Sequence, residues 1–212
     1  MRFQRVLEEV LGTGTKVALL RVLVRLGGEH TGRELSRLVD RDGRNCSLAL
    51  EDLGRQGVVV SRRVGRARTH AINRSHVLVE QMLAPLFERE RELLATAGRE
   101  IRLRLSRRGI RPLALAAFGS VARREEAAAD SDLDLLVLLD RDALPADRQA
   151  EAADDLSEFG FARYGMAVQV FFETVRSLRR KQERGDPLAL SMIRDGILVH
   201  GRGTLKGLLR HG

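Results

Sequence analysis

The chain has 212 residues, 43% of them hydrophobic and 31% charged, with a formal net charge of +8. This describes a folded globular protein with room for one large or two small cores, and it excludes a disordered chain. No run reaches the ~20 apolar residues of a membrane span, acids interrupt the N-terminal stretch MRFQRVLEEVLG, and Cys46 stands alone, so a membrane segment, a secretory signal, a disulfide framework and a cysteine zinc cluster are not expected, and a cytoplasmic location fits.

The charge is unevenly placed. Residues 1–112 carry 23 Lys+Arg against 13 Asp+Glu, whereas residues 113–212 carry 14 against 16. No acid lies between Asp52 and Glu80, a window that holds Arg55, Arg62, Arg63, Arg66, Arg68 and Arg74. A general preference for arginine would raise it everywhere, but it would not empty one window of acids. A local positive field is what a polyanion-binding surface requires.

In chain order, residues 3–11 and 15–26 repeat apolar residues at helical spacing, with Gly12-Thr13-Gly14 as a break and Thr15 as a cap. The Gly-Thr-Gly-Thr-Lys string lacks the spacing and preceding strand of a phosphate loop. A short helix is expected over Thr31–Val39, with Glu34 completing a capping box. After the turn Asp40–Arg44, Asn45 is expected to cap a second helix running to about Gln56, with Leu48, Leu50 and Leu53 facing inward. Val58–Val60 and Thr69–Asn73 read as strands joined by a tight hairpin at Gly65-Arg66. Residues 77–108 form an amphipathic helix, with Pro85 and Gly98 as candidate breaks. Its apolar stripe is available to either domain or to a second subunit, so a homodimer is one arrangement it allows. Cys46 reads as a small packing residue.

Residues 15–76 resemble the winged-helix domains of prokaryotic transcriptional regulators, through GRELSRLV and NCSLALEDLGRQGVVVSRRVGRARTHAIN. The resemblance implies that Arg44, Asn45, Ser47 and Leu48 open the recognition helix and approach the major groove of duplex DNA. Arg62, Arg63, Arg66 and Arg68 would lie on the wing, near phosphates or the minor groove. A winged helix used for dimerisation or protein contact is the alternative.

In the second half, the apolar strand Leu113–Phe118 runs into Gly119-Ser120, and VARREEAAA then reads as a helix. Glycine at such a turn lets backbone approach a ligand, and amides at a helix start attract phosphate. Ser120 and Arg123 could add donors to the same phosphate. Ser131-Asp132-Leu133-Asp134 opens a second apolar strand, and residues two apart project together. Two neighbouring carboxylates suit Mg²⁺.

The stretch FGSVARREEAAADSDLDLLVLL is similar to the signature of the polymerase-beta-like nucleotidyltransferase superfamily, most of all its minimal prokaryotic members, over residues 112–201. The resemblance implies that Gly119, Ser120, Arg123 and Ser131 contact the NTP. Asp132 and Asp134 would be the catalytic acids and would hold two Mg²⁺, which activate an acceptor hydroxyl and stabilise the leaving pyrophosphate. The family generally has a third acid on a later strand. In Ala167–Phe172 that position holds Gln169, a poor general base; Glu173 shares the parity of Gln169 but lies four residues on, and Asp140 shares that of Asp132 and Asp134 but lies at the far end of its strand. Further on, residues 147–163, Val175–Arg184 and Asp186–Arg194 read as helices and Ile197–His200 as an edge strand, followed by a loosely ordered basic tail. His70, His76, His200 and His211 lack ligand-like spacing.

The expected fold is α+β: a winged helix-turn-helix (residues 1–76), a connecting helix (77–110), a nucleotidyltransferase-like domain with a mixed sheet flanked by helices (111–202) and the tail (203–212). Three functions remain open. One is transfer of a nucleotide to tRNA or a protein. The second is a DNA-binding regulator whose C-terminal domain senses nucleotide or is catalytically degenerate. The third is an interaction module such as a toxin–antitoxin component.

Overall fold

The computed structural model describes residues 10–123, 132–140 and 142–211. Most of the helix expected over residues 3–11 therefore lies outside the described residues. The chain divides into two compact units, Met1–Glu92 and Leu93–Gly212.

In the first unit, helix α1 (Gly14–Leu26) buries Leu19, Leu20, Leu23 and Val24. Its cap is Thr13, whose Oγ1 accepts from the Lys16 amide at 3.2 Å, and not Thr15, because the helix already begins at Gly14. Strand β1 (His30–Thr31) leads directly into α2 (Gly32–Leu38). Thr31 both ends the strand and caps the helix. Its Oγ1 accepts from the Glu34 amide while its own amide donates to Glu34 Oε2 at 2.8 Å, the expected capping box.

Helix α3 (Gly43–Arg55) starts earlier than its sequence suggests, so Asp42 is the cap and Asn45 supplies the amide it accepts, at 2.9 Å. Cys46, Ala49, Leu50 and Leu53 face the core. Leu48, expected inside with Leu50 and Leu53, is instead 57% exposed, since the helical turn carries it to the outer face. Strands β2 (Val59–Val64) and β3 (Ala67–Ile72) pair in register from Val59↔Ile72 to Val64↔Ala67 across Gly65-Arg66, and β1 adds to β3 through His30↔His70 and Thr31↔Thr69. Helix, short strand, helix, helix and hairpin on one apolar core is a winged helix-turn-helix.

Helix α4 (Ala84–Arg107) follows a wide π-turn at Val79–Leu83. Gly98 does not interrupt the helix, whereas near Pro85 the expected helix is divided by the π-turn. Pro85 lies in the first turn after the π-turn, where the widened backbone accommodates its missing donor and its ring. Gly98 is a point of close packing: a Cβ there would sit 2.5 Å from the Val199 Cβ. The stripe divides its partners. Leu83 and Phe87 join the first core, whereas Ile101 and Leu105 join the second. Arg21 and Arg25 of α1 grip Glu90, Arg21 through two bonds of 2.7 Å.

The second unit is a mixed four-stranded sheet of order β6-β5-β4-β7, comprising β4 (Ala114–Phe118), β5 (Leu133–Leu139), β6 (Val168–Thr174) and β7 (Ile197–His200). β4 pairs antiparallel with β5 and β7, whereas β5 and β6 are parallel. The parallel pair requires a crossover, which α6 (Ala146–Tyr164) provides; the short α5 (Gly119–Arg123) follows β4. Leu115, Ala117, Leu135 and Val137 face α4 and α6 through Ile101, Leu105, Ala152 and Leu156. Ala114, Ala116, Leu136 and Leu138 face α7 (Val175–Glu183), α8 (Pro187–Asp195) and α9 (Leu205–His211). Cover on both faces explains why β4 and β5 read as unbroken apolar runs.

Helix α9 corrects the expectation of a loose tail. Leu205, Leu208 and Leu209 recur at helical spacing, Leu205 and Leu209 are buried, and Thr204 Oγ1 accepts from the Gly207 amide at 3.1 Å. Among the described residues no helix is long and apolar enough to cross a membrane.

Asp155 of α6 fastens α4. Arg104 donates to both its oxygens at 2.6 and 2.8 Å and Arg108 adds a contact at 2.9 Å, which together hold the carboxyl down at about 2. A lowered folded value contributes stability above the ordinary carboxylate range and loses it as pH falls towards 2. Discounted for the exposed guanidiniums, this is worth about 1–2 kcal/mol. Asp155→Asn should therefore destabilise the protein by that amount in urea titrations at pH 7. The gap from the parent should close between about pH 4 and pH 2; a gap independent of pH would refute the assignment.

Candidate functional site

Two places in the chain gather polar groups that the folding cores do not require. The first is the end of the second sheet where β4 stops. Phe118 pairs with Asp134, so the next residue, Gly119, falls beside the Asp134 side chain. Gly119 has φ +72°, and a Cβ there would sit 2.1 Å from Asp134 Oδ2 and 3.1 Å from its Cγ. Backbone and carboxylate are thus in direct contact, and any side chain at 119 would meet both a clash and an unfavourable dihedral.

Ser120 follows in the first turn of α5, half-buried, and α8 packs against this helix. On the other side of β5, Gln169 is the register partner of Asp134. Parallel partners project to the same face, so Gln169 stands next to Asp134 and is exposed. Phe118 and Phe171 share this face and meet edge-on at 5.3 Å, an apolar floor next to the polar groups. Asp132 is exposed and immediately precedes the strand, whose Leu133 amide donates to the Ala167 carbonyl at 2.9 Å.

The fold therefore brings Gly119, Ser120, Asp132, Asp134 and Gln169 to one sheet end. Ser131 and residues 124–130 of the expected helix lie outside the described residues, as does the side chain of Arg123. The two more distant acids stand elsewhere. Glu173 is opposite Leu138, four residues and roughly 13 Å along β6, where it engages Lys181 and Ser177. Asp140 lies past the other end of β5, in a pocket with Leu113, Arg202 and Thr204.

Among the described residues, no group of three or more His, Cys, Asp or Glu could hold a metal unaided. The donor set at the sheet end is two carboxylates, hard oxygen ligands too few for an all-protein cage. Such a set suits Mg²⁺ arriving with phosphate oxygens and water to complete its shell.

The second place is the winged-helix surface. Arg44, Asn45, Ser47 and Leu48 are all exposed on α3. The wing arginines divide between two faces. Arg63 and Arg68 are cross-strand partners on the side of Ser61 and His70, and a groove on that side runs between Glu51 and Arg55 of α3 and Ser61, Arg68 and Asn73. His70 is buried there beside Ser61 Oγ at 2.9 Å, and burial, helped by the Arg68 charge, holds its imidazole below the ordinary value. Arg66 is at the tip. Arg62 alternates to the other face with Thr69, close to Glu29. Arg74, although in the basic window, donates to the Val24 carbonyl at 3.1 Å and tethers α1. Cys46 is buried, and burial pushes its thiol up, as suits a packing residue.

Sequence reasoning did not identify Glu29 as part of the wing. The signal available was the glycine pair Gly27-Gly28 before it, which turns the chain back towards β3.

Residues 99–181 match the family model of the nucleotidyltransferase domain. A search of curated proteins found no match. Solved structures with likeness to the N-terminal region include the following three. The homodimeric winged helix-turn-helix DNA-binding domain from Mycobacterium bovis is 19% identical, covering 44% of this chain and 91% of that one, with a TM-score of 0.34. NolR from Sinorhizobium fredii is 23% identical, covering 37% and 75%, with a TM-score of 0.32. The AntR antimony-specific transcriptional repressor is 26% identical, covering 41% and 78%, with a TM-score of 0.34. The chain thus joins a winged helix-turn-helix unit, defined by its own topology, to a unit in which residues 99–181 match the nucleotidyltransferase family model.

Gly119→Ala should destabilise the second unit by about 1–3 kcal/mol. Adding Asp134→Ala should recover the steric part of that loss in urea titrations. Equal stability of Gly119→Ala and the parent would rule out the contact.

Proposed function

We propose that the protein is a Mg²⁺-dependent nucleotidyltransferase that moves a nucleotide from an NTP to a macromolecular hydroxyl, on tRNA or a protein, while its winged helix binds duplex DNA. The observation that carries the reading is the contact of the Gly119 backbone with Asp134, inside the stretch matched by the nucleotidyltransferase family model.

In this reading the Gly119 backbone admits the triphosphate at close range and the Ser120 hydroxyl donates to a phosphate oxygen, with Arg123 and Ser131 as further phosphate contacts. Asp132 and Asp134 would hold Mg²⁺, which when bound supplies charge neutralisation for the phosphates and acidity for the acceptor hydroxyl. The acceptor oxygen, its proton passing to water, then forms a bond to the α-phosphorus as the bond to pyrophosphate breaks. The chain's own contribution is positioning rather than a covalent intermediate. On the winged helix, Arg44, Asn45 and Ser47 would meet base edges and Arg63, Arg66 and Arg68 phosphates.

Gln169 favours a second reading, a DNA-binding regulator that senses nucleotide without transferring it. A neutral amide beside Asp134 cannot take the acceptor proton.

Incubation with labelled NTPs, Mg²⁺ and total tRNA separates the two. Transfer of label to RNA or protein, lost on Asp134→Asn, is expected for the enzyme; nucleotide binding without transfer under any of these conditions would sink it. Gln169→Glu should raise transfer at least about tenfold if proton acceptance is limiting. Duplex DNA should bind with a steep salt dependence, and the slope should fall by about one phosphate on Arg68→Ala. Salt-independent or absent binding would count against the DNA reading.

A further inference from the structure

The geometry points to Glu29 as a residue that makes the wing one-sided, cancelling the charge of Arg62 so that nucleic acid engages the face bearing Arg63 and Arg68. This inference rests on the DNA-binding reading above.

Glu29 is placed by backbone. After α1, Gly27 (φ +64°) and Gly28 (φ +71°) reverse the chain, and His30↔His70 and Thr31↔Thr69 then fix it along the edge of β3. From there Thr69 Oγ1 donates to Glu29 Oε2 at 2.7 Å, and the Arg62 guanidinium lies 3.8 Å from Oε1. Arg62 and Thr69 are themselves cross-strand partners, so the three side chains occupy one face of the hairpin.

The pair does little for stability. Arg62 is 72% and Glu29 41% exposed, and exposed ion pairs contribute little. Its effect is on the field outside. No acid lies between Asp52 and Glu80, so the hairpin has no anion of its own, and Glu29 brings one in from the preceding turn. A phosphate reaching Arg62 would stand beside a like charge held by Thr69. On the opposite face Arg68, the cross-strand partner of Arg63, lines a groove with Glu51 and Arg55 of α3, where the Glu51 carboxylate already has Arg55 as its counter-ion. Phosphate contact on that face alone fixes the orientation of a duplex to the recognition helix, which is a matter of specificity more than affinity.

The test is Glu29→Gln, which keeps an acceptor for Thr69 and removes the charge, set against Glu151→Gln, an equal charge change on an exposed residue of the other unit. Binding to a duplex of arbitrary sequence would be measured from about 50 to about 300 mM salt. Glu29→Gln is expected to bind about 3–10-fold tighter at low salt, with a log–log slope steeper by about 0.9. Arg62→Ala should leave the parent within about twofold and should abolish the gain in Glu29→Gln. Glu29→Gln matching Glu151→Gln, or Arg62→Ala weakening the parent as much as Arg68→Ala, would overturn the inference while leaving the DNA reading intact. Absence of salt-dependent binding by the parent would overturn both. Thermal unfolding of each variant establishes that the comparison is between folded proteins.

Discussion

The pairing of Phe118 with Asp134 determines what the second unit can present to a ligand. It is one rung of an antiparallel ladder, yet it decides that the turn after β4 lies against a carboxylate. From that rung the requirement for glycine at 119 follows, as does the place of Ser120. The neighbouring parallel ladder then sets Gln169 beside the same carboxylate. Side-chain period along a strand is two, so a slip of one residue in either ladder would turn these groups to the opposite face.

Much of this was legible because it depends on local chemistry. The capping box of Thr31 and Glu34, the Gly65-Arg66 hairpin and the strand Ile197–His200 each announce themselves within a few residues. The Gly-Ser turn and the paired aspartates are similarly short-range patterns. Helix starts were less legible, since Thr13 and Thr15, or Asp42 and Asn45, are all good caps, and tertiary packing decides which one is used. Gly98 and Leu205 mislead for a different reason: one needs Val199 and the other the α7–α9 layer before its role has meaning. The division of the wing arginines depends on strand parity, which a list of basic residues does not reveal.

The first unit shows how a crowded positive surface is sorted. Arg74 is taken up by a helix-end carbonyl, Arg55 by Asp52 and Glu51, and Arg62 stands by Glu29. Charge counted along the sequence therefore overstates the charge offered to a ligand. What remains on the helix-facing side of the hairpin is a smaller set with a defined direction.

Helix α9 closes the layer over β4 and β5, the strands that carry Gly119 and Asp134. During synthesis, the apolar face made by Ala114, Ala116, Leu136 and Leu138 has no complete cover until residues 205–209 have been added. The winged-helix core, assembled from residues before 93, can form well before that. The second unit must keep its sheet from other partners for longer, so the order in which the two cores close is written into where their last leucines fall in the chain.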